Sequence, residues 1–288
     1  MKHWQIGLIV LTIIAGVLFS KREPLVFAWY SGKIEKSTLA ERIDLIDDAI
    51  EIRLPENKTA PYPVVLQFHG CAGIRPEFQH QWADIANNNG YAAVIVDSNS
   101  PRGYSREESL EIVCAGKDLL GFERAGDVYA ALEFIKNDSR LDTDNIILAG
   151  WSHGAWTVMD FLTMDPEKAP PGITDRSVST PTIDGAILFY PYCGFGTLTR
   201  FRPLSQSPKM LGFIAEKDEM VDAQACIEYF QKQKKRDPAL EFITYKDAHH
   251  VFDDPFLEPD YIHWYNEEYF SDAKSRYVNF LNDIVSAQ

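Results

Sequence analysis

Short apolar runs alternate with segments of helical spacing along most of the chain. Runs that predict buried strands occupy residues 64–68, 92–96, 146–149, 183–190, 210–215 and 240–245, and an alternating segment at 50–54 predicts an edge strand. Helical spacing covers residues 78–88, 122–136, 153–164, 223–234 and 273–285. This alternation predicts an α/β fold with a mostly parallel central sheet and helices on both faces. The connection of roughly 20 residues between the fourth and fifth of the buried strands leaves no room there for a large cap domain.

The N-terminal segment is apolar on all sides and differs from the rest. Lys2 precedes an apolar run at residues 6–19, and Lys21 and Arg22 follow it. The fourteen residues of this run suit a signal-peptide core, whereas extension through Ser20 gives a marginal membrane anchor. Both interpretations stay open, beside a third in which the segment is a buried helix. The first two predict an exported, periplasmic or extracytoplasmic protein, attached to the membrane through residues 6–20 if the segment is an anchor.

Composition and charge exclude some partners. Lys and Arg total 28 against 42 Asp and Glu, so the formal charge is −14, which disfavours nucleic acid as a partner. The four cysteines, Cys71, Cys114, Cys193 and Cys226, include no CxxC pair, and we expect no metal site and no cofactor. Behind an export signal an even number of cysteines permits two disulfides, and spacing alone leaves all three pairings open.

A glycine-bounded serine follows the buried strand at 146–149. The segment GWSHG, residues 150–154, is a G-x-S-x-G motif between a strand and a helix, which is the context of a nucleophile elbow. Gly150 and Gly154 have no Cβ to clash where strand and helix crowd together. Ser152 is therefore the candidate nucleophile, and the alternative is an ordinary helix-capping serine.

A serine nucleophile needs a base and an acid, which follow it in chain order in this type of fold. The strand at 240–245 leads to His249 and His250, and we favour His250 as the base. The strand at 210–215 leads to Asp218 in the following turn, whereas Asp222 is placed to cap the next helix. We therefore expect Asp218 to orient the imidazole and to stabilise its charged form.

An oxyanion needs two backbone donors. The first is the N–H of His153, directly after the nucleophile, and the second lies in the glycine-bearing turn after the strand at 64–68. Cys71 is the first candidate for this second donor, and Ala72 is the alternative. Arg75 and Arg102 also follow strands, and we retain both as candidates for binding a substrate carboxylate.

Taken together, these motifs resemble the dienelactone hydrolase family of the α/β-hydrolase superfamily. The resemblance covers roughly residues 61–252 and rests on FHGCAG, DSNSPRG, ERAGDVYAALEFI, GWSHG, AEKDEMV and YKDAHHVF. The last motif resembles the family's Tyr-x-x-Ala-x-His-x-Phe ending, whose histidine is catalytic, and this implies that role for His250. The family's aspartate falls on Asp218. The chain therefore divides into a signal or anchor at 1–22, a linker or peripheral segment at 23–45, and a catalytic domain at 46–288. The N-terminal apolar segment is a difference from the family and suggests an exported relative.

The resemblance is incomplete at the nucleophile. Dienelactone hydrolases proper have a cysteine in the elbow, whereas this chain has Ser152, which points to a broader carboxylic ester hydrolase. The cysteines resemble those of exported members of the family. Because each pair follows neighbouring strands, we predict the disulfides Cys71–Cys114 and Cys193–Cys226.

The sequence therefore predicts an exported serine hydrolase that cleaves a small-molecule ester or lactone through an acyl-enzyme. A peptidase of the same fold and a non-catalytic, membrane-tethered binding module are the alternatives. A haloalkane dehalogenase is disfavoured because it needs a carboxylate at the position of Ser152. Since the base must be neutral to act, we expect kcat/KM to fall below about pH 6.5.

Overall fold

The computed structural model describes residues 22–56 and 58–286, which form eight α-helices and seven β-strands. The helices are α1 (Arg22–Ser31), α2 (Leu39–Ile46), α3 (Pro76–Asn88), α4 (Arg106–Ile112), α5 (Gly121–Ile135), α6 (His153–Leu162), α7 (Ala223–Lys234) and α8 (Glu267–Ser286). The strands are β1 (Ile50–Arg53), β2 (Tyr62–Phe68), β3 (Ala92–Val96), β4 (Leu141–Trp151), β5 (Gly185–Phe189), β6 (Lys209–Ala215) and β7 (Glu241–Tyr245).

The strands form one sheet in the order β1-β3-β2-β4-β5-β6-β7. All neighbours are parallel except β1, which pairs antiparallel with β3 at the edge. The apolar strands β3 and β5 are buried along their whole length, as expected for strands covered on both faces. The predicted α/β-hydrolase fold is therefore confirmed.

Two apolar layers cover the sheet. On one face α3 and α8 meet, and Trp82 packs against Tyr277 with ring centroids 5.0 Å apart. On the other face α5, α6 and α7 contribute to a second core cluster. This arrangement fixes the carboxyl ends of β2, β4, β6 and β7 at one edge, where four loops converge.

The region proposed as a linker or peripheral segment, residues 23–45, is largely helical. It contains all but one residue of α1 and of α2, and Arg42 of α2 forms a buried ion pair with Asp127 of α5. The predicted apolar segment at 6–20 lies outside the described residues. Within residues 22–56 and 58–286, no helix is both long and apolar enough to cross a membrane.

Candidate active site

Ser152 lies on the sharp turn between β4 and α6. Its φ of 53° and ψ of −114° place a non-glycine residue in a strained part of backbone space. A Cβ on Gly154 would lie 2.0 Å from the carbonyl oxygen of Phe68, and one on Gly150 would lie 2.5 Å from the backbone nitrogen of Ala155. Only glycine fits at these two positions, so the sequence motif and the close approach of β2, β4 and α6 explain each other.

Ser152, His250 and Asp218 come together at this turn. His250 Nε2 lies 2.9 Å from Ser152 Oγ, and His250 Nδ1 lies 2.6 Å from Asp218 Oδ2. The other oxygen of Asp218 accepts hydrogen bonds from the backbone N–H groups of Met220, at 2.8 Å, and Val221, at 2.9 Å. The carboxylate is therefore fixed on both oxygens, and it orients the imidazole so that Nε2 can accept the serine proton.

The alternative residues have other partners. His249 contacts Glu219 at the surface and does not reach Ser152. Asp222 caps α7, because its side chain accepts from the N–H groups of Gln224 and Ala225. The described residues contain no cluster of three or more side chains suited to a metal ion.

The buried side chain of Asp253 contacts residues next to Ser152 and His250. Asp253 accepts hydrogen bonds from Tyr190 Oη at 2.8 Å and from Trp151 Nε1 at 3.1 Å. Burial raises the pKa of Asp253 to about 7. The Tyr190 ring packs on the imidazole of His250, with centroids 4.6 Å apart. Asp253 thus links Trp151, the residue before the nucleophile, to Tyr190, whose ring packs on His250.

The predicted oxyanion donors lie on either side of Ser152. His153 is the first residue of α6, so its N–H has no acceptor within the helix. Cys71 lines the same cavities as Ser152, and a Cβ on the preceding Gly70 would lie 3.6 Å from Ser152 Cβ. Both backbone segments therefore border the cavity at Ser152.

Arg124 connects these two segments and was not assigned a role from the sequence. Its guanidinium donates to the carbonyl of His69 at 2.8 Å, to Ser98 Oγ at 2.9 Å, and towards His153 Nδ1 at 3.1 Å. The side chain is fully buried, and burial lowers its pKa to about 10. Burial and the nearby Arg124 charge also hold the pKa of His153 well below its usual value, which keeps the ring a neutral acceptor.

Both predicted disulfides are present in the structure. Cys71–Cys114 ties the turn after β2 to the loop after α4, with 5.0 Å between the Cα atoms. Cys193–Cys226 ties the loop after β5 to α7. The first disulfide therefore restrains Cys71, whose backbone N–H is a candidate oxyanion donor.

The two predicted substrate arginines have different surroundings. Arg75 lines a cavity with Ser152, where it forms an ion pair with Asp254 and donates to the Phe256 carbonyl at 2.6 Å. Arg102 instead forms a buried pair with Asp127, at 2.8 Å, and lines a different cavity. The assignment of Arg102 to substrate binding is therefore corrected, because its charge is already neutralised away from Ser152.

Two mainly apolar clefts meet at Ser152. The histidine-side cleft, of about 270 Å³, contains His250 and is walled by α4 and by the loop after β7, with Leu110, Leu257, Tyr261 and Trp264. The helix-side cleft, of about 620 Å³, contains His153 but not His250 and is walled by α1 and the loop after α4, with Val26, Trp29, Val113 and Trp156. Ser152, Cys71, Cys114 and Met220 border both clefts.

Known proteins support the family resemblance. Residues 173–285 match the model of the dienelactone hydrolase family. The fold is similar to that of a dienelactone hydrolase-like promiscuous phosphotriesterase from metagenomic libraries, at 16% identity over 82% of this chain and 92% of that one, with a TM-score of 0.60. It is also similar to a thermophilic esterase, Est2, from Thermogutta terrifontis, solved with propionate, at 17% identity over 82% and 89%, with a TM-score of 0.57. The resemblance inferred from the sequence motifs is confirmed.

A further solved structure and a curated sequence extend the comparison. Est1E from Butyrivibrio proteoclasticus, solved with ferulic acid, is 14% identical over 82% of this chain and 95% of that one, with a TM-score of 0.55. A protein of Phaeosphaeria nodorum, named as a probable dipeptidyl-aminopeptidase B, is 26% identical over 123 residues. That match covers 41% of this chain but only 13% of the fungal protein.

Proposed function

We propose that this relative of the dienelactone hydrolase family is a serine hydrolase that cleaves carboxylic esters or lactones through an acyl-enzyme. The observation that carries the proposal is the continuous chain of hydrogen bonds from Asp218 through His250 to Ser152, held on a strained elbow. A helix-capping serine needs neither a buried histidine nor a carboxylate behind it. The non-catalytic binding module therefore leaves this arrangement unexplained.

The reaction follows from the positions of these atoms. Ser152 Oγ attacks the carbonyl carbon and transfers its proton to His250 Nε2, while Asp218 stabilises the imidazolium. The N–H groups of His153 and Cys71 hold the oxyanion. The C–O bond to the alcohol then breaks, and His250 returns the proton to the alcohol oxygen. Water, activated by the same histidine, releases the acid and regenerates Ser152.

The cleft lining favours an ester over a peptide with a free N-terminus. An enzyme that removes dipeptides must neutralise the substrate ammonium in a desolvated site. In the described lining of the two clefts the one carboxylate is Asp254, and it is already paired with Arg75. A neutral ester needs no such partner.

Hydrolysis of 4-nitrophenyl acetate, γ-lactones and dipeptidyl 4-nitroanilides tests this proposal. We expect the ester to be cleaved, and we expect kcat to fall by about 10⁴ in Asp218→Asn and by at least as much in Ser152→Ala. The adjacent histidines provide a matched control, since His250→Gln should abolish turnover and His249→Gln should not. Cleavage of the anilide but not of esters would establish the peptidase instead, and equal loss in both histidine variants would refute the assigned base.

We also propose that the protein works outside the cytoplasm. Support comes from the two disulfides, which form and persist in oxidising compartments. Non-reducing peptide mapping of the secreted or periplasmic protein should recover Cys71–Cys114 and Cys193–Cys226. Four free thiols in that fraction would contradict the proposal.

A further inference from the structure

The two clefts differ in their relation to the catalytic base. In ester cleavage the alcohol oxygen must receive its proton from His250 Nε2, so the alcohol lies on the side of that atom. Only the histidine-side cleft contains His250. The acyl carbon stays bonded to Ser152 with its oxygen at His153 and Cys71. The acyl group must then extend away from the base, into the helix-side cleft.

We propose that α1 forms the outer wall of an acyl-binding cleft and makes the enzyme selective for esters with an extended apolar acyl group. This proposal rests on the proposed esterase function. It adds a substrate class and a specificity element. Helix α1 lies outside the residues matched by the family model, which begin at 173.

Four large apolar side chains that are open to solvent line this cleft. Val26 is 39% exposed, Trp29 61%, Phe195 48% and Met220 54%, and all four line the cleft that contains Ser152. Contiguous exposed apolar surface marks interaction sites and ligand-binding grooves. The buried Trp156 also lines the cleft, so an acyl chain that starts at Ser152 has further apolar surface to contact.

Other side chains of α1 hold the wall in place. The Phe27 ring packs edge-on against Phe122 of α5 at 4.8 Å, and the Tyr30 ring does the same at 5.6 Å. Glu23 forms an ion pair with Arg200 at 2.8 Å. With these contacts to the body of the protein, Val26 and Trp29 line the cleft, and the Lys33 ammonium lies 3.6 Å from the centroid of the Trp29 ring.

A series of 4-nitrophenyl esters from acetate to octanoate tests the role of α1 in acyl binding. In the wild type we expect kcat/KM to rise by roughly three- to fivefold per methylene while the chain stays within the cleft. If the indole of Trp29 covers two methylenes, Trp29→Ala should lower the octanoate-to-acetate ratio of kcat/KM by roughly tenfold. Leu25→Ala is the matched control, because Leu25 is 51% exposed on the same helix but does not line the cleft, and its ratio should stay at the wild-type value.

The histidine-side cleft provides a second test. In Tyr261→Ala, at the mouth of the histidine-side cleft, we expect the dependence on alcohol size in a series of alkyl acetates to weaken. The acyl-chain ratio of that variant should be retained. If Trp29→Ala leaves the octanoate-to-acetate ratio of kcat/KM unchanged, or instead changes the dependence on alcohol size, the assignment of the helix-side cleft to the acyl group is overturned. The proposed esterase activity would stand in either case. Absence of hydrolysis of every ester, with Ser152 unreactive, would instead overturn the proposed function.

Discussion

Replacement of Arg124 by lysine tests how the site is held in shape. The guanidinium donates to three acceptors that belong to three different segments: His69 after β2, Ser98 after β3, and His153 at the start of α6. A lysine ammonium keeps the charge but is a single point that cannot reproduce the planar fork of donors. We therefore expect Arg124→Lys to retain one of these contacts and to lose two.

The magnitude follows from the hydrogen bonds lost. Each hydrogen bond to a charged group contributes about 1.5–3 kcal/mol, so the loss of two should lower the free energy of unfolding by roughly 3–6 kcal/mol. A single oxyanion donor is worth about 10²–10³ in kcat. Because Arg124 holds both donor segments without touching the substrate, we expect their partial displacement to reduce kcat by about 10- to 100-fold with little change in KM.

Urea denaturation and ester kinetics on the same samples measure the two effects. Arg140→Gln is the matched control, since Arg140 is half exposed and pairs with Asp138 at the surface, where an ion pair contributes about 1 kcal/mol or less. A folded Arg124→Lys protein with kcat within twofold of the wild type would refute the positioning role. If only the free energy of unfolding falls and kcat does not, Arg124 serves stability alone, by filling buried space and donating to buried acceptors.

Three further changes test separate parts of the account. Gly154→Ala should abolish both cooperative folding and activity in urea denaturation and ester assays, because the new Cβ would lie 2.0 Å from the Phe68 carbonyl oxygen; a stable, active variant would contradict the elbow geometry. Burial raises the pKa of Asp253 from 3.8 to about 7, so the folded protein binds this proton more tightly than the unfolded chain does. Stability should therefore fall as pH rises from about 4 to 7, by on the order of 4 kcal/mol, and level off above. In Asp253→Asn that slope should flatten, and an unchanged slope would contradict the assignment. Removing the Cys71–Cys114 disulfide, which spans 43 residues, should cost about 4 kcal/mol by thermal denaturation and should also lower kcat; an unchanged kcat would separate this disulfide from the oxyanion site.

The fold could be predicted because the apolar runs are strong where strands are buried on both faces. Prediction was weaker where polar residues enter an element. β4 begins at Leu141, five residues before the predicted start, because Asp142, Thr143 and Asp144 interrupt the apolar pattern. α4 falls between the predicted strand at 92–96 and the predicted helix at 122–136, where no element was predicted. Its capping box, between Ser105 and Glu108, was a usable signal for a helix start.

The residues of the candidate triad and elbow could be proposed from local motifs, whereas the residues that support them could not. Arg124 lies 55 positions from His69 and 29 from His153 along the chain, so only the packed fold brings its acceptors together. Arg102 follows a strand as predicted, but its nearest carboxylate, Asp127, comes from another helix. Local sequence indicates which chemistry is present, and long-range packing decides which charges are already neutralised.

Labelling with a fluorophosphonate probe, followed by mapping of the modified peptide, tests the central claim most directly. An activated serine should react, and we predict modification at Ser152 in the wild type, lost in His250→Ala and retained in His249→Ala. Folded protein that does not react with the probe, or that is labelled at a different serine, would contradict the assignment of this site as the centre of a serine hydrolase.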